Sequence, residues 1–278
     1  MGSHKLDMVK KSSKKKKITK KKKPTKKKKQ TTKKSKIVDV PLSNKLSEGS
    51  KATLGNIDYH YQKYYNTFSF INEIIQRNKK LNKQICIPNV GNGWMKSFLK
   101  TEFLTSRANS IKPVDYEVSN MTFIKEIKHC MKKRFVPINF EIVIPSVGTH
   151  ANMIIIDTKK KTIELFEPHG NRSEKSELES ISKAYSKISK QIQIFFKQYL
   201  PDYKFIPPSK IEPKHGLQER LDFFSGLCVT WSILYLHYKI LNPDVNSKTL
   251  ILHIDKTMNK NKLLRYTRYV EDILKHKI

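Results

Sequence analysis

Three residues have the types and spacing for nucleophilic acyl-transfer chemistry: His150, Glu167 and Cys228. A thiolate is a strong nucleophile when a nearby imidazole takes or stabilises its proton. A carboxylate that accepts a hydrogen bond from that imidazole fixes its tautomer and orientation. His150 opens, and Glu167 closes, a stretch that reads THANMIIIDTKKKTIELFEPHG (149–170). The stretch has the pattern of two strands and a tight lysine-rich turn.

If the turn is even-numbered, with Asp157 opposite Thr162, Asn152 falls opposite Glu167. His150 then lies diagonal to Glu167. Side chains alternate along a strand, so 150, 152, 154 and 156 share a face with 163, 165 and 167. Diagonal partners are roughly 7–8 Å apart, which long side chains bridge. A three-residue turn would reverse the parity. Asp157 is the other acid of the hairpin, but it sits at the turn end, away from His150. The shared face needs Cys228 as its partner.

Cys228 stands in DFFSGLCVTWSILYLHYK, at the start of a segment that is apolar nearly all round. Such a pattern marks a buried central helix. Ser225 is placed to act as its N-cap, and Gly226 permits a tight turn into it. A cysteine in the first turn sits at the positive end of the helix dipole, which favours the thiolate. The chain has two other cysteines, Cys86 and Cys130, widely spaced and with no CxxC pair. Both read as small packed residues. Three scattered cysteines argue against a disulfide framework or zinc cluster and fit a reducing compartment. No histidine and cysteine spacing resembles a metal site. Among the other histidines, His169 rivals His150 as base. His237 reads as a core residue, and His215 and His253 carry no signal.

The elements that must position these residues follow from periodicity. Helices are expected at about 59–82, 94–104, 121–133 and 174–200. FVPINFEIVI (135–144) reads as a buried strand, and DYKFIPP (202–208) as a short one. Residues 209–225 read as a polar loop. Helices at 227–241, 247–256 and 260–275 complete the chain, the first stopped by Asn242-Pro243. IPNVGNGW (87–94) is a loop in which Trp94 is placed to wall a channel. Few strands and many helices predict an α+β domain.

The chain has 278 residues and a formal charge of +32. Between Lys10 and Lys36 there are 17 lysines and no acid, which accounts for about half of that charge. The blocks are Lys14, Lys15, Lys16 and Lys17; then Lys20, Lys21, Lys22 and Lys23; then Lys26, Lys27, Lys28 and Lys29. Such blocks repel one another and bury nothing, so residues 1–40 are expected to form a disordered tail. A tail of this kind binds nucleic acid or another polyanion by counterion release, without reading sequence. Residues 41–57 read as a linker and 58–278 as the folded domain. Within that domain, 58–134 is the helical N-terminal part, 135–241 the core, and 242–278 the C-terminal helices. No apolar run is long enough to span a membrane, and no signal peptide is visible.

The order His150, Glu167, then Cys228 before a buried helix resembles the adenain-like and Ulp-type cysteine peptidases. That superfamily includes the adenovirus endopeptidase and the proteases of SUMO and related ubiquitin-like proteins. LFEPHG (165–170) and the 17-residue step from His150 to Glu167 are the most specific points. SGLCVTWS (225–232) resembles helix starts found in large DNA viruses of protists. The resemblance covers roughly 135–241. It implies a papain-like core in which a small sheet packs on the helix that starts at the nucleophile. It also implies His150 as base, Glu167 as orienting acid and Cys228 as nucleophile. Gln218 is implied as the donor that completes an oxyanion hole with the Cys228 backbone N–H. The chemistry then needs no cofactor, with DNA as an activating or tethering polyanion. Expected partners are protein or peptide substrates, either viral precursors or ubiquitin-like proteins. The expected location is the virion or the host cell interior. The chain departs from the family in having Ala151 where Trp commonly follows the histidine. Gln218 lies 10 residues before Cys228, further than usual, and Gly226-Leu227 precede the cysteine.

Overall fold

In the hairpin, Asp157 pairs with Thr162, and the register continues to Met153 opposite Phe166. A computed structural model describes residues 36–46, 79–88, 116–144, 148–170, 179–213, 215–222 and 227–275. The two strands are β2 (Gly148–Asp157) and β3 (Thr162–Phe166). Their loop spans 158–161, so the turn is even-numbered and the parity is not reversed. Lys161 closes it in the left-handed region at φ 51°. Asp157 anchors the turn: its carboxylate accepts the Lys160 N–H at 3.0 Å and lies 3.7 Å from Arg134 Nε. Asp157 therefore serves the turn, at the far end from Glu167.

β1 (Phe135–Ile144) pairs antiparallel with β2, and β4 (Lys204–Ile206) pairs parallel with β3. The four-stranded sheet has the order β1-β2-β3-β4. The described helices are α1 (Lys79–Asn82), α2 (Tyr116–Cys130), α3 (Glu179–Tyr199), α4 (Pro208–Ile211), α5 (Leu217–Asp222), α6 (Cys228–Leu241), α7 (Ser247–Thr257) and α8 (Lys260–Lys275). The architecture is α+β. The region 209–225, expected as loop, contains the short helices α4 and α5. Pro207-Pro208 starts α4, because proline suits the first turn of a helix.

Both faces of the sheet are covered. Ile154, Ile156, Ile163 and Leu165 pack with Phe123, Ile127 and Phe196 from α2 and α3. Ala151, Met153, Ile155 and Phe166 pack with α6. This corrects the expectation that the helix of Cys228 covers the face shared by 150, 152, 154 and 156. It takes the opposite face. β2 is apolar at both odd and even positions, so alternation cannot say which helix covers which side.

Cys86 and Cys130 form a disulfide with a Cα separation of 5.2 Å, which corrects the reading of them as unpaired thiols. Ile85 bridges Phe135 at the edge of β1, and Cys130 ends α2 just before β1 begins. Tertiary pairing thus brings together two residues 44 apart in sequence, a span that carries no spacing signal. Residues 36–46 lie against α6–α8. The Asn242 side chain accepts the Val38 N–H at 2.7 Å and donates to the Val38 carbonyl at 2.8 Å. Tyr238 and His253 both reach Asp39, Arg265 donates to the Ser43 carbonyl, and Val40 is buried. No described helix is long and apolar enough to cross a membrane. The predicted helix 94–104, Trp94 and the lysine blocks lie outside the described residues.

Candidate active site

α6 is buried along most of its length, including Trp231, Leu234 and Tyr235 at 0 % exposure. It begins at Cys228. Leu227 occupies the cap position and supplies no side-chain hydrogen bond; Ser225 and Gly226, expected to cap and enter the helix, lie outside the described residues. The first helical bond runs from Trp231 N–H to the Leu227 carbonyl at 2.9 Å. The first N–H groups of a helix point beyond its start, and the dipole there favours an anion. Cys228 is buried and not disulfide-bonded.

Three contacts fix the direction of α6 on the hairpin. Ser232 Oγ donates to the Ala151 carbonyl at 3.4 Å. Tyr235 stacks on Phe166, with ring centroids 4.3 Å apart. Lys239 reaches Glu164, 2.9 Å from its Oε2. Because Phe166 pairs with Met153 and Glu164 with Ile155, the helix descends from the open end of the hairpin toward its turn. Cys228 lies one turn before Ser232, roughly 6 Å further up at 1.5 Å per residue. The start of α6 and the backbone of His150, next to Ala151, therefore share the open end. His150 pairs with Ile142; its side chain lies outside the described set.

Glu167 is the first residue beyond β3 and is 4 % exposed. Its Oε1 accepts the His169 N–H at 2.9 Å, and its carbonyl accepts the Gly170 N–H at 2.8 Å. This turn is held to the segment before α5. Gly216 N–H donates to the His169 carbonyl, and Gln218 N–H to the Pro168 carbonyl, both at 2.9 Å. The backbones meet at Gly170 and Gly216. Gly170 has φ +83°, and a Cβ on either glycine would lie closer than 3.0 Å to backbone atoms of the other loop. The structure thus brings Glu167 and Gln218 into one clasp.

Gly216→Ala tests that clasp. The added methyl has backbone, not flexible side chain, in its way, so the loops must separate. The expected loss is about 1–3 kcal/mol of stability, typical of overpacking, read by thermal unfolding. An unchanged melting temperature would show that the loops do not meet this way in solution.

Gln218 is 2 % exposed, and its Oε1 has no hydrogen-bond partner among the described residues. A buried amide atom without a partner is costly. The two ends of an amide are nearly isosteric. Turning the group presents Nε2 as a donor at the same position.

The other histidines divide by environment. Burial pushes His237 down to about 3, so it stays neutral, with Nδ1 3.3 Å from the Tyr266 hydroxyl. His215 is exposed and lies 3.0 Å from Glu219. His253 pairs with Asp39 at 2.7 Å. His169 lies in the clasp, half-buried, with both its backbone N–H and its carbonyl engaged there. Sequence reasoning missed Glu212, whose Oε1 accepts the Glu167 N–H at 2.9 Å. No pattern marked it, because it belongs to the clasp only through the fold. No group of three or more His, Cys, Asp or Glu suited to a metal occurs among the described residues.

No protein-family profile matches the chain. A stretch of 189 residues, 53% of the chain, is 25% identical to the putative ankyrin repeat protein L371 of Acanthamoeba polyphaga mimivirus. The match spans 24% of that longer protein. Among solved structures, the Chlamydia trachomatis effector protein ChlaDUB1 aligns over 76% of this chain and 84% of its own, with 11% identity and a TM-score of 0.37. The SUMO protease Ulp1 with its catalytic cysteine oxidised to a sulfonic acid aligns over 76% of this chain and 77% of its own, with 14% identity and a TM-score of 0.37.

Proposed function

We propose that the chain is a cysteine peptidase in which Cys228, His150, Glu167 and Gln218 divide the chemistry. The observation that carries this reading is the meeting of three features at one end of the hairpin. These are the start of α6 with Cys228, the His150 backbone, and the clasp that holds Glu167 and Gln218. In the mechanism, His150 takes the thiol proton of Cys228 and the thiolate attacks the scissile carbonyl. The Cys228 N–H and the Gln218 amide stabilise the oxyanion of the tetrahedral intermediate. The intermediate collapses to a thioester as His150 protonates the leaving amine. Water then attacks the thioester, with His150 as base, and frees the thiol. Glu167 keeps the imidazole oriented throughout.

The substrate class proposed is a precursor protein of a large DNA virus, cut near nucleic acid. The lysine blocks from Lys14 to Lys29 support that setting, because they hold an enzyme on a polyanion in a salt-dependent way. A peptidase for ubiquitin-like proteins would share the same machinery, so the test separates the two. Recombinant protein is treated with a peptide bearing a thiol-reactive electrophile, and with ubiquitin and SUMO bearing a C-terminal electrophile. With Cys86 and Cys130 paired, Cys228 is the thiol left to react. One adduct with the peptide probe, abolished in Cys228→Ser, is expected. Adducts with ubiquitin or SUMO in preference would shift the substrate class. No adduct with any probe would sink the peptidase reading.

A further inference from the structure

The clasp contains a carboxyl that the mechanism above does not use. Glu212 follows α4, and its backbone N–H closes that helix on the Pro208 carbonyl at 2.8 Å. Its side chain turns the other way and accepts the N–H of Glu167 at 2.9 Å. One residue therefore ties the end of α4 to the end of β3, at the peptide that carries the candidate acid. The next residue, Pro213, lends its carbonyl to the close approach at Gly170. The same segment runs on to Gln218.

We propose that Glu212 is a positioning residue for the orienting acid, acting through its hydrogen bond to the Glu167 backbone. This rests on the peptidase reading. Glu167 is the first residue after the ladder between β2 and β3 ends, and its N–H donates to Glu212. Glu212 supplies that acceptor from a neighbouring segment. It does this beside a second carboxyl, an arrangement that disfavours its charged form. Burial pushes Glu212 well above the ordinary carboxylate range, and the negative charge of Glu167 pushes it further, against the opposing effect of the Glu167 N–H. Among the described residues Tyr235 of α6 also feels Glu212: burial and the charge of Glu164 push its phenol well above its usual range, with a smaller push from Glu212. His169 stands in the same clasp.

The test uses full-length protein with Glu212→Gln and Glu212→Ala, a cleavable peptide, and two readouts. Glutamine keeps the accepting oxygen and cannot ionise. It is expected to keep kcat within about threefold near neutrality, where a well-placed hydrogen bond is retained. It should also carry that activity to higher pH than the parent protein, since ionisation of Glu212 would crowd two charges into the clasp. Alanine is expected to lower kcat by about 10²-fold with KM little changed, the scale of a small misplacement of a catalytic group. Equal loss in both variants, or no loss in alanine, would overturn the proposal.

The second readout is stability against pH, which does not depend on turnover. A carboxyl raised in the folded state stabilises fully at acid pH and loses that contribution as pH rises through its folded value. Glu212→Gln should therefore gain on the parent protein as pH rises above the ordinary carboxylate range, by up to about tenfold in the folding equilibrium per pH unit. A constant difference in melting temperature across pH 4–8, in an active enzyme, would overturn the Glu212 contact alone. A widening difference in a protein that cleaves nothing would overturn the peptidase reading and the positioning role with it, leaving only a buried acid pair.

Discussion

Cys228→Ala is expected to lower kcat on a cleavable peptide by roughly 10⁴–10⁶-fold, the range seen when a nucleophile is removed from a catalytic triad. The fold should be unaffected, because alanine fills most of the same space in a core of Leu227, Trp231 and Ala151. Melting temperature is the control. Glu167→Gln keeps the shape but weakens orientation of the imidazole, and a loss of about 10⁴-fold is the scale for that change. Gln218→Ala removes one oxyanion donor and should cost about 10²–10³-fold. The double variant Cys228→Ala, Glu167→Gln should lose little more than Cys228→Ala, because members of a triad act as a unit. Losses that multiply would show that the two residues work separately. Residual turnover in Cys228→Ala close to the parent rate would remove the thiol from the mechanism.

The second large effect is on stability and lies in the buried network behind Tyr235. Lys239 is 0 % and Glu164 5 % exposed, and their charged groups are 2.9 Å apart. Ser247 donates to Glu164 at 2.8 Å and accepts from Lys239, while Tyr235 donates to the same carboxylate at 3.2 Å. The network joins β3, α6 and the first residue of α7. Lys239→Met leaves the Glu164 charge buried without its cation, and that costs about 3–5 kcal/mol. For a domain of this size the melting temperature should fall by roughly 10 °C. Replacing both charges at once, Glu164→Leu with Lys239→Met, should recover much of the loss, because apolar pairs of similar volume often match a buried ion pair. A single variant as stable as the parent would mean that water reaches the pair. A double variant worse than either single would mean that the hydroxyls of Tyr235 and Ser247 need the charges.

The elements of this chain were legible where periodicity was strong. FVPINFEIVI fills β1 from Phe135 to Ile144, and the helix expected at 227–241 runs from Cys228 to Leu241. The parity of the hairpin was left open by its sequence, and the pairing of Asp157 with Thr162 makes it even. Alternation along β2 also predicted which residues share a face, and Ile154 and Ile156 do pack together with Ile163 and Leu165. It failed on which helix each face meets. From Met153 to Ile156 β2 is apolar at odd and even positions alike, so that stretch has no polar side to mark outside from inside.

What the sequence alone determined was local: a thiol at the start of an apolar helix, and a histidine and an acid at the open end of one hairpin. Those features depend on neighbours within a few residues, whose spacing is set by backbone geometry. Only the tertiary structure decided the rest. It turned α6 onto the odd-numbered face of β2 and paired Cys86 with Cys130 across 44 residues. It joined Gln218 to the turn after Glu167 through Gly170 and Gly216, and it put Glu212 on the Glu167 backbone. Each of these contacts joins segments with no shared period. They come from packing two loops at one end of a sheet, where hydrogen-bond partners are chosen by proximity in space rather than along the chain.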